Sequence, residues 1–327
     1  MMTAPRTPAK LKRTRDHKMY KAIITGATGM LALALMRQLL DRDYEIYAVV
    51  HPGSQRIENI PQDSRIKLVE CDLADTERLP EMIHENCDEF YHFAWNCTFG
   101  DSRNNMEAQT ENILRTVQAA EAAAKLGCRV FLGAGSQAEF GRKNAPAGPD
   151  TPAFPENGYG MAKLCAGQMT REICRRNGVR HIWFRIFSVY GPYDGANTMV
   201  MSGINRLLNG ERPAYTKGEQ QWDYLYCDDA ARAFMLAAEK GKDGAVYCIG
   251  SGKTRPLSEY ILAIRDAAAP GAEIGLGEVP YAEKQVMYLC ADISQLTADT
   301  GFTPQISFEE GIKNTVDWVK NKRIWRS

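Results

Sequence analysis

Long apolar runs, an excess of either charge and paired cysteines are all missing from this chain of 327 residues. No stretch is apolar over the ~20 residues that a membrane-spanning helix needs. Lysine plus arginine equals aspartate plus glutamate at 40 each, so net charge points to neither nucleic acid nor a membrane surface as partner. The nine cysteines are scattered, odd in number, and never form a C-x-x-C pair. Several sit in apolar, strand-like runs, where cysteine behaves as a small buried hydrophobe. That excludes a disulfide framework or a zinc site as the first reading and suggests a reducing, cytoplasmic setting. The five histidines are dispersed, so no metal site is expected. Repeats and low-complexity linkers are also absent.

What remains has ordinary globular composition, 44% apolar and 24% charged, and is long enough for a sizeable core. Residues 1–18 form a basic leader with two prolines and no apolar h-region, so they are not a secretory signal. A disordered tail is expected there, with a transit peptide as the alternative.

From Tyr20 the pattern changes. K-A-I-I-T-G-A-T-G-M-L-A-L-A-L-M-R-Q-L-L reads as a short apolar strand, a glycine turn and a long helix. Gly26 and Gly29 permit a tight turn and a close backbone approach to a pyrophosphate, and Ala32 is small enough to pack the helix on the strand. The helix start then offers free N–H groups and a positive dipole end to phosphate. A glycine turn alone is weak; strand before and helix after supply the required context. The next strand, Y-E-I-Y-A-V-V, ends at His51 rather than at the acidic residue that would take the ribose hydroxyls of NAD. His51, Ser54 and Arg56 suit the 2′-phosphate of NADP, with NAD as the alternative.

Further strands are expected at I-K-L-V-E-C-D-L (ending in Asp72 and Leu73), D-E-F-Y-H-F-A-W (ending in Ala94 and Trp95), C-R-V-F-L-G-A-G-S (ending in Ser136) and H-I-W-F-R-I-F. Helices are expected at 76–86, 104–126 and the segment beginning near Tyr159. This alternation predicts an α/β protein with a doubly wound parallel sheet. Ligands of such sheets bind beyond the carboxyl ends of the strands. After Phe187 come a turn-rich loop ending in Asn197, a helix at 198–209, the stretch Q-Q-W-D-Y-L-Y-C-D-D and amphipathic helices at 257–268 and 308–320. These pieces are expected to make a smaller lobe over the cofactor.

The segment P-E-N-G-Y-G-M-A-K carries the chemistry. Tyr159 and Lys163 are four apart in a helical pattern and so share one face. A nearby ammonium lowers the pKa of a phenol, which can then exchange a proton with a carbonyl or hydroxyl oxygen. By spacing alone the pair could equally be a surface tyrosine and a solvated lysine.

Taken together, T-G-A-T-G-M at 25–30, C-D-L at 71–73, F-A-W at 93–95, G-S-Q-A-E-F-G at 135–141, Y-G-M-A-K at 159–163, R-I-F-S-V-Y-G-P at 185–192 and W-D-Y-L-Y-C-D-D-A-A-R-A at 222–233 resemble the extended short-chain dehydrogenases/reductases. These are the NAD(P)-dependent nucleotide-sugar epimerases, dehydratases and 4-ketoreductases. The resemblance covers about residues 19–321. It implies a Rossmann-type domain over 19–187 and a mainly substrate-binding lobe over 188–327, with some segments returning to the first. It implies Ser136 as holder of the reacting oxygen, Tyr159 as general acid/base and Lys163 as the group that binds the nicotinamide ribose and tunes the tyrosine. Gly26, Thr28, Gly29, Met30, Leu31, Asp72, Leu73, Ala94 and Phe187 fall at cofactor-contacting positions, and Asn112 at a supporting one. Trp95, Thr98, Arg103, Asn197 and Trp222 are substrate-side candidates. A homodimer through helices 104–126 and 157–177 is also implied.

Three departures refine this. Gln137 and Ala138 occupy the positions where dehydratases carry an acidic pair, and Glu139, one place later, is expected to point elsewhere; dehydration is therefore disfavoured. Trp222 replaces the arginine that grips the diphosphate, and an indole cannot make that bidentate charged contact; Arg212, Lys217 or Arg255 could substitute. The loop N-C-T-F-G-D-S-R is unusual and is expected to line the substrate side, with Arg103 as an anion contact. The resulting expectation is an NADP(H)-dependent reductase of a 4-keto-6-deoxy nucleotide sugar. A nucleotide-sugar 4-epimerase, a reductase of a small lipophilic carbonyl and a non-enzymatic NADP-binding sensor are the alternatives.

Overall fold

The computed structural model describes residues 19–324. The basic leader, residues 1–18, lies outside the described residues. Seven strands form one sheet: β1 (Lys21–Thr25), β2 (Glu45–Val50), β3 (Ile66–Glu70), β4 (Glu89–His92), β5 (Val130–Ser136), β6 (Arg180–Ile186) and β7 (Ala245–Ile249). Their spatial order is β7-β6-β5-β4-β1-β2-β3, and every pairing is parallel. The order reverses between β1 and β4, where the crevice of a doubly wound sheet opens.

The strands are apolar because most are covered on both faces. One face packs against α1 (Met30–Leu40) and α5 (Cys227–Lys240), in a core that includes Leu33, Leu35, Leu39, Phe184 and Phe234. The other packs against α2 (Met106–Lys125) and α3 (Gly158–Asn177), around Ile23, Phe90 and Phe131. Each such fully buried side chain contributes roughly 1.5–3 kcal/mol of transfer free energy. The alanine-rich part of α2 buries Ala119, Ala120, Ala122 and Ala123, whose small side chains let the helix lie close.

Two expected elements differ. The third strand stops at Glu70 rather than running on to Leu73, because the Asp72 carboxylate turns back to accept from Ala74 N–H at 2.8 Å. The expected helix over 76–86 is a 3₁₀ turn (Leu73–Arg78) followed by four helical residues, Leu79–Met82. Leu79 and Ile83 are the buried apolar side chains of that stretch, too few to hold a longer helix.

Beyond Phe187 lie α4 (Met199–Leu208), α6 (Leu257–Ala268), α7 (Phe308–Ile324) and several two- and three-residue strands. Buried carboxylates tie these segments together. Asp223 accepts from the backbone N–H of Ser251, Gly252 and Ala291. Asp229 accepts from Gln305 and Ile306 N–H at 2.8 and 2.9 Å. No helix among the described residues is long and apolar enough to cross a membrane.

Candidate active site

The cofactor side is built from backbone. Gly26 follows β1 with φ +67, and a Cβ there would lie 2.8 Å from Ala94 N. Glycine is therefore required where the first turn meets the end of β4. Gly29 caps α1 without a side-chain cap, so the first N–H groups of the helix face the crevice unclaimed by a capping side chain. Thr28, Met30 and Leu31 frame this cradle. Asp72 and Leu73 follow β3, and the Asp72 carboxylate lies 3.0 Å from His51 Nε2 at the neighbouring end of β2. Ser54 and Arg56 share the exposed turn after His51, where the Ser54 hydroxyl accepts from Arg56 N–H at 3.3 Å. The cradle, the open helix start and the flanking polar turn fit a dinucleotide: Gly26 to Leu31 at the pyrophosphate, and Asp72 or His51, Ser54 and Arg56 at the adenosine ribose.

The reaction side is built from side chains. Ser136 ends β5 and caps the turn Gln137–Phe140, its hydroxyl accepting from Ala138 N–H at 3.2 Å. Tyr159 stands in the first turn of α3, which Asn157 caps by accepting from Gly160 N–H at 2.9 Å. A Cβ at Gly160 would collide with the Ala138 carbonyl. Glycine there lets the start of α3 lie on the turn after β5, which brings Tyr159 to Ser136. Lys163, one turn further, is buried and donates to the Ala134 carbonyl at 2.6 Å. Its Nζ also lies 3.6 Å from the Trp95 ring centroid and 5.7 Å from that of Tyr159.

Burial sets the proton affinities. Desolvation raises the Tyr159 phenol above its ordinary value, while the Ser136 hydroxyl and the Arg103 charge pull it back. Desolvation lowers Lys163 to about 7, partly opposed by the charge of Glu139. The phenol thus holds its proton at neutral pH, and the ammonium is poised to lose its own.

Glu139 does point away from the cavity, as expected, and into the core. It is fully buried and completes a capping box, with Oε1 accepting from Ser136 N–H at 2.8 Å and from Trp183 Nε1 at 3.0 Å. Its other oxygen accepts from Arg185 Nε at 2.8 Å. The spacing S-x-x-E at 136–139 was the signal for this. Of the substrate-side candidates, Trp95 and Arg103 surround Tyr159: Trp95 is edge-on at 6.1 Å between centroids, and Arg103 lies over the ring at 4.6 Å. Trp95 is steadied by its Nε1 donating to Gln109 at 3.0 Å, and Asn112 latches the following loop through both backbone groups of Asn96. Thr98 lies half-buried in that loop and Asn197 is exposed in the loop before α4. Trp222 packs behind the cavity lining, against the cluster that includes Phe140, Phe187 and Leu289, and donates from Nε1 to the Ser188 hydroxyl at 2.8 Å.

A cavity of about 230 Å³ opens at the turn that follows Ser136, with Ser136, Tyr159 and Lys163 themselves outside its lining. Gln137, Ala138, Phe140, Phe187, Val286 and Tyr288 are among the residues that line it. Phe187, placed at the cofactor by the sequence resemblance, is found in this lining and packs at 6.2 Å from Phe140.

A parallel sheet with a glycine cradle and a Ser–Tyr–Lys group defines a class of nicotinamide-dependent oxidoreductases. The model of the NAD dependent epimerase/dehydratase family matches residues 22–250, and the chain belongs to that family. It is an enzyme of the extended short-chain dehydrogenase/reductase type, dependent on NAD or NADP. It is 24% identical to a dTDP-glucose 4,6-dehydratase of Streptomyces antibioticus, over 93% of each chain. Its fold is similar to that of a UDP-N-acetylglucosamine 4-epimerase from Methanobrevibacter ruminantium, solved with UDP-N-acetylmuramic acid: TM-score 0.84, 23% identity, 93% of this chain and 99% of the other. A UDP-glucuronic acid 4-epimerase from Bacillus cereus, solved with UDP-glucuronic acid and NAD, is also similar, with TM-score 0.78 and 22% identity over 92% and 99%.

Proposed function

We propose that this enzyme reduces the 4-keto group of a nucleotide-linked 6-deoxy sugar, with NADPH as the preferred cofactor. The observation that carries this reading is the pairing of a proton-loaded Tyr159, beside Ser136, with a cavity that lacks a free carboxylate. Eliminating water from a sugar needs an acid and a base beside the oxygen donor. Here Gln137 and Ala138 hold those positions, Glu139 is locked beneath Ser136, and the carboxylate lining the cavity, Glu156, is bound by Arg142 at 2.8 Å.

When bound, the nicotinamide supplies the hydride to the carbonyl carbon. Tyr159 delivers its proton to the oxygen, and the Ser136 hydroxyl holds that oxygen in place. Lys163 stabilises the phenolate left behind and binds the nicotinamide ribose. Pre-placed donors meet the developing negative charge without the reorganisation that water would need. His51, Ser54 and Arg56 support the choice of NADP. The segments after Phe187 form the lobe that covers the sugar. Exposed Met106, Leu114, Met161 and Met169 on α2 and α3 suit a homodimer through these helices, and the scattered cysteines a cytoplasmic enzyme.

A 4-epimerase is the second reading, because the same three side chains can take a hydride and return it to the other face. The test is incubation with 4-deuterated NADPH and, separately, NADH, together with UDP- and dTDP-linked 4-keto-6-deoxy sugars. Deuterium at sugar carbon 4 with stoichiometric NADPH oxidation is expected. Interconversion of UDP-hexose epimers without net cofactor consumption would move the assignment to the epimerase. Transfer to small lipophilic ketones alone would overturn the nucleotide-sugar reading.

A further inference from the structure

The cavity beside the turn that follows Ser136 is rich in positive charge. Four cationic side chains line that cavity: Arg103, Arg142, Lys143 and Lys284. One carboxylate, Glu156, faces them and is engaged by Arg142 through both Nε and the backbone N–H. Lys284 adds its positive field at Glu156. Arg103 lies over the Tyr159 ring, and its Nε is buried without a hydrogen-bond partner among the described residues. A buried N–H of a guanidinium left unpaired is costly unless something else supplies an acceptor.

The cations of the C-terminal segments are committed elsewhere. Arg212 donates to both oxygens of Glu278, at 2.8 and 2.5 Å. Arg255 is the cross-strand partner of Trp222, but it pairs with Glu309 at 2.7 Å and stacks over Tyr260 at 4.1 Å. One of its nitrogens, Nη2, also lacks a partner, yet Arg255 does not line the cavity; nor do Arg212 and Lys217.

A cavity of about 230 Å³ lies below the ~300–1,000 Å³ of a whole small-ligand site, so it takes one end of a nucleotide sugar. Arg103 both lines the cavity and lies over the Tyr159 ring, so on the nucleotide-sugar reading that end is the sugar. We infer that Arg103 and Lys284, supported by Arg142 and Lys143, bind an anionic group close to the reacting sugar ring. That group is either the sugar-linked phosphate or a carboxylate on the sugar itself. The inference rests on the nucleotide-sugar reading for the identity of the ligand, but not for the existence of the anion site.

The test uses the full-length protein saturated with NADPH, so that the pyrophosphate cradle is occupied. Pyrophosphate, UDP, dTDP, UDP-glucose and UDP-glucuronate are titrated calorimetrically into the wild type and into Arg103→Met, Lys284→Met and Arg255→Met. Lys284 is exposed, so that variant keeps the test open if Arg103→Met folds poorly. Each cavity substitution is expected to weaken binding about tenfold or more, as for loss of one charge-assisted hydrogen bond, and Arg255→Met less than about twofold. If the effect appears with every diphosphate, the anion is the phosphate. If it is confined to UDP-glucuronate, the anion is a sugar carboxylate. A large loss in Arg255→Met with unchanged cavity variants would overturn the inference, as would a wild type that binds none of these probes. The two readings fail separately. Turnover of a nucleotide sugar with an unchanged KM in the cavity variants sinks the anion site and leaves the function standing. Pyrophosphate binding lost in those variants, with no nucleotide sugar bound or converted, does the reverse.

Discussion

The two walls of the cleft are made differently. On the proposed cofactor wall, the surface comes from backbone: a turn held by Gly26, an uncapped helix start at Gly29, and the ends of parallel strands. On the proposed substrate wall, Ser136, Tyr159, Lys163, Trp95 and Arg103 converge from four separate segments, and burial shifts the proton affinities of Tyr159 and Lys163. The first wall depends on conformation and tolerates many side chains. The second depends on side-chain identity and on a buried support, Glu139 with Arg185, whose side chains are 1% and 6% exposed. A wall of the first kind can be shared by many enzymes, and a wall of the second kind decides which reaction is done.

This contrast can be broken most sharply at Tyr159. Tyr159→Phe is expected to lower turnover by about 10²–10⁴-fold, the usual contribution of a positioned acid. NADPH affinity, measured by fluorescence titration, should stay near the wild-type value. Equal loss of both would mean that the walls are not separable.

Glu139→Ala tests the support. It leaves the Arg185 charge buried and unpaired, which costs about 3–5 kcal/mol. The urea midpoint should fall accordingly. A small loss would show that Arg185 finds another partner.

Gly26→Ala addresses the opposite wall. The left-handed backbone and the close approach to Ala94 N should cost about 1–3 kcal/mol, and NADPH affinity should fall. A variant that binds cofactor normally would show that the cradle relaxes.

The remaining test is a pH dependence and concerns Lys163. Its folded pKa of about 7 lies below the ordinary 10.5, so between these values the unfolded chain binds more protons. This lysine's contribution to stability therefore rises with pH across that window and is lost as pH falls toward 7. Urea midpoints at pH 7 and 9.5 should show a steeper rise in wild type than in Lys163→Met. Equal slopes would mean that Lys163 is not desolvated.

Much of the architecture can be read from local pattern. The strand–glycine–helix opening, the alternation that follows and the four-residue spacing of Tyr159 and Lys163 are short-range features, because strand and helix periods are set by neighbours in the chain. The helix expected over 76–86 failed for a complementary reason. Its polar periodicity was compatible with a helix, but tertiary packing gave it few buried positions to hold one.

The sequence by itself carried the strand–glycine–helix opening, the alternation of strands and helices and the Tyr159–Lys163 spacing, because each is a pattern set by neighbours along the chain. Tertiary structure decided the rest. It turned Glu139 inward as the support of Ser136, engaged Arg212 with Glu278 and Arg255 with Glu309, placed Phe187 in the lining of the cavity, and gathered Arg103, Arg142, Lys143 and Lys284 around it. Those four cations come from segments up to 181 positions apart, taking Arg103 and Lys284 as the extremes. Coulomb and desolvation energies depend on distance in space and on burial, and neither is encoded by spacing along the chain.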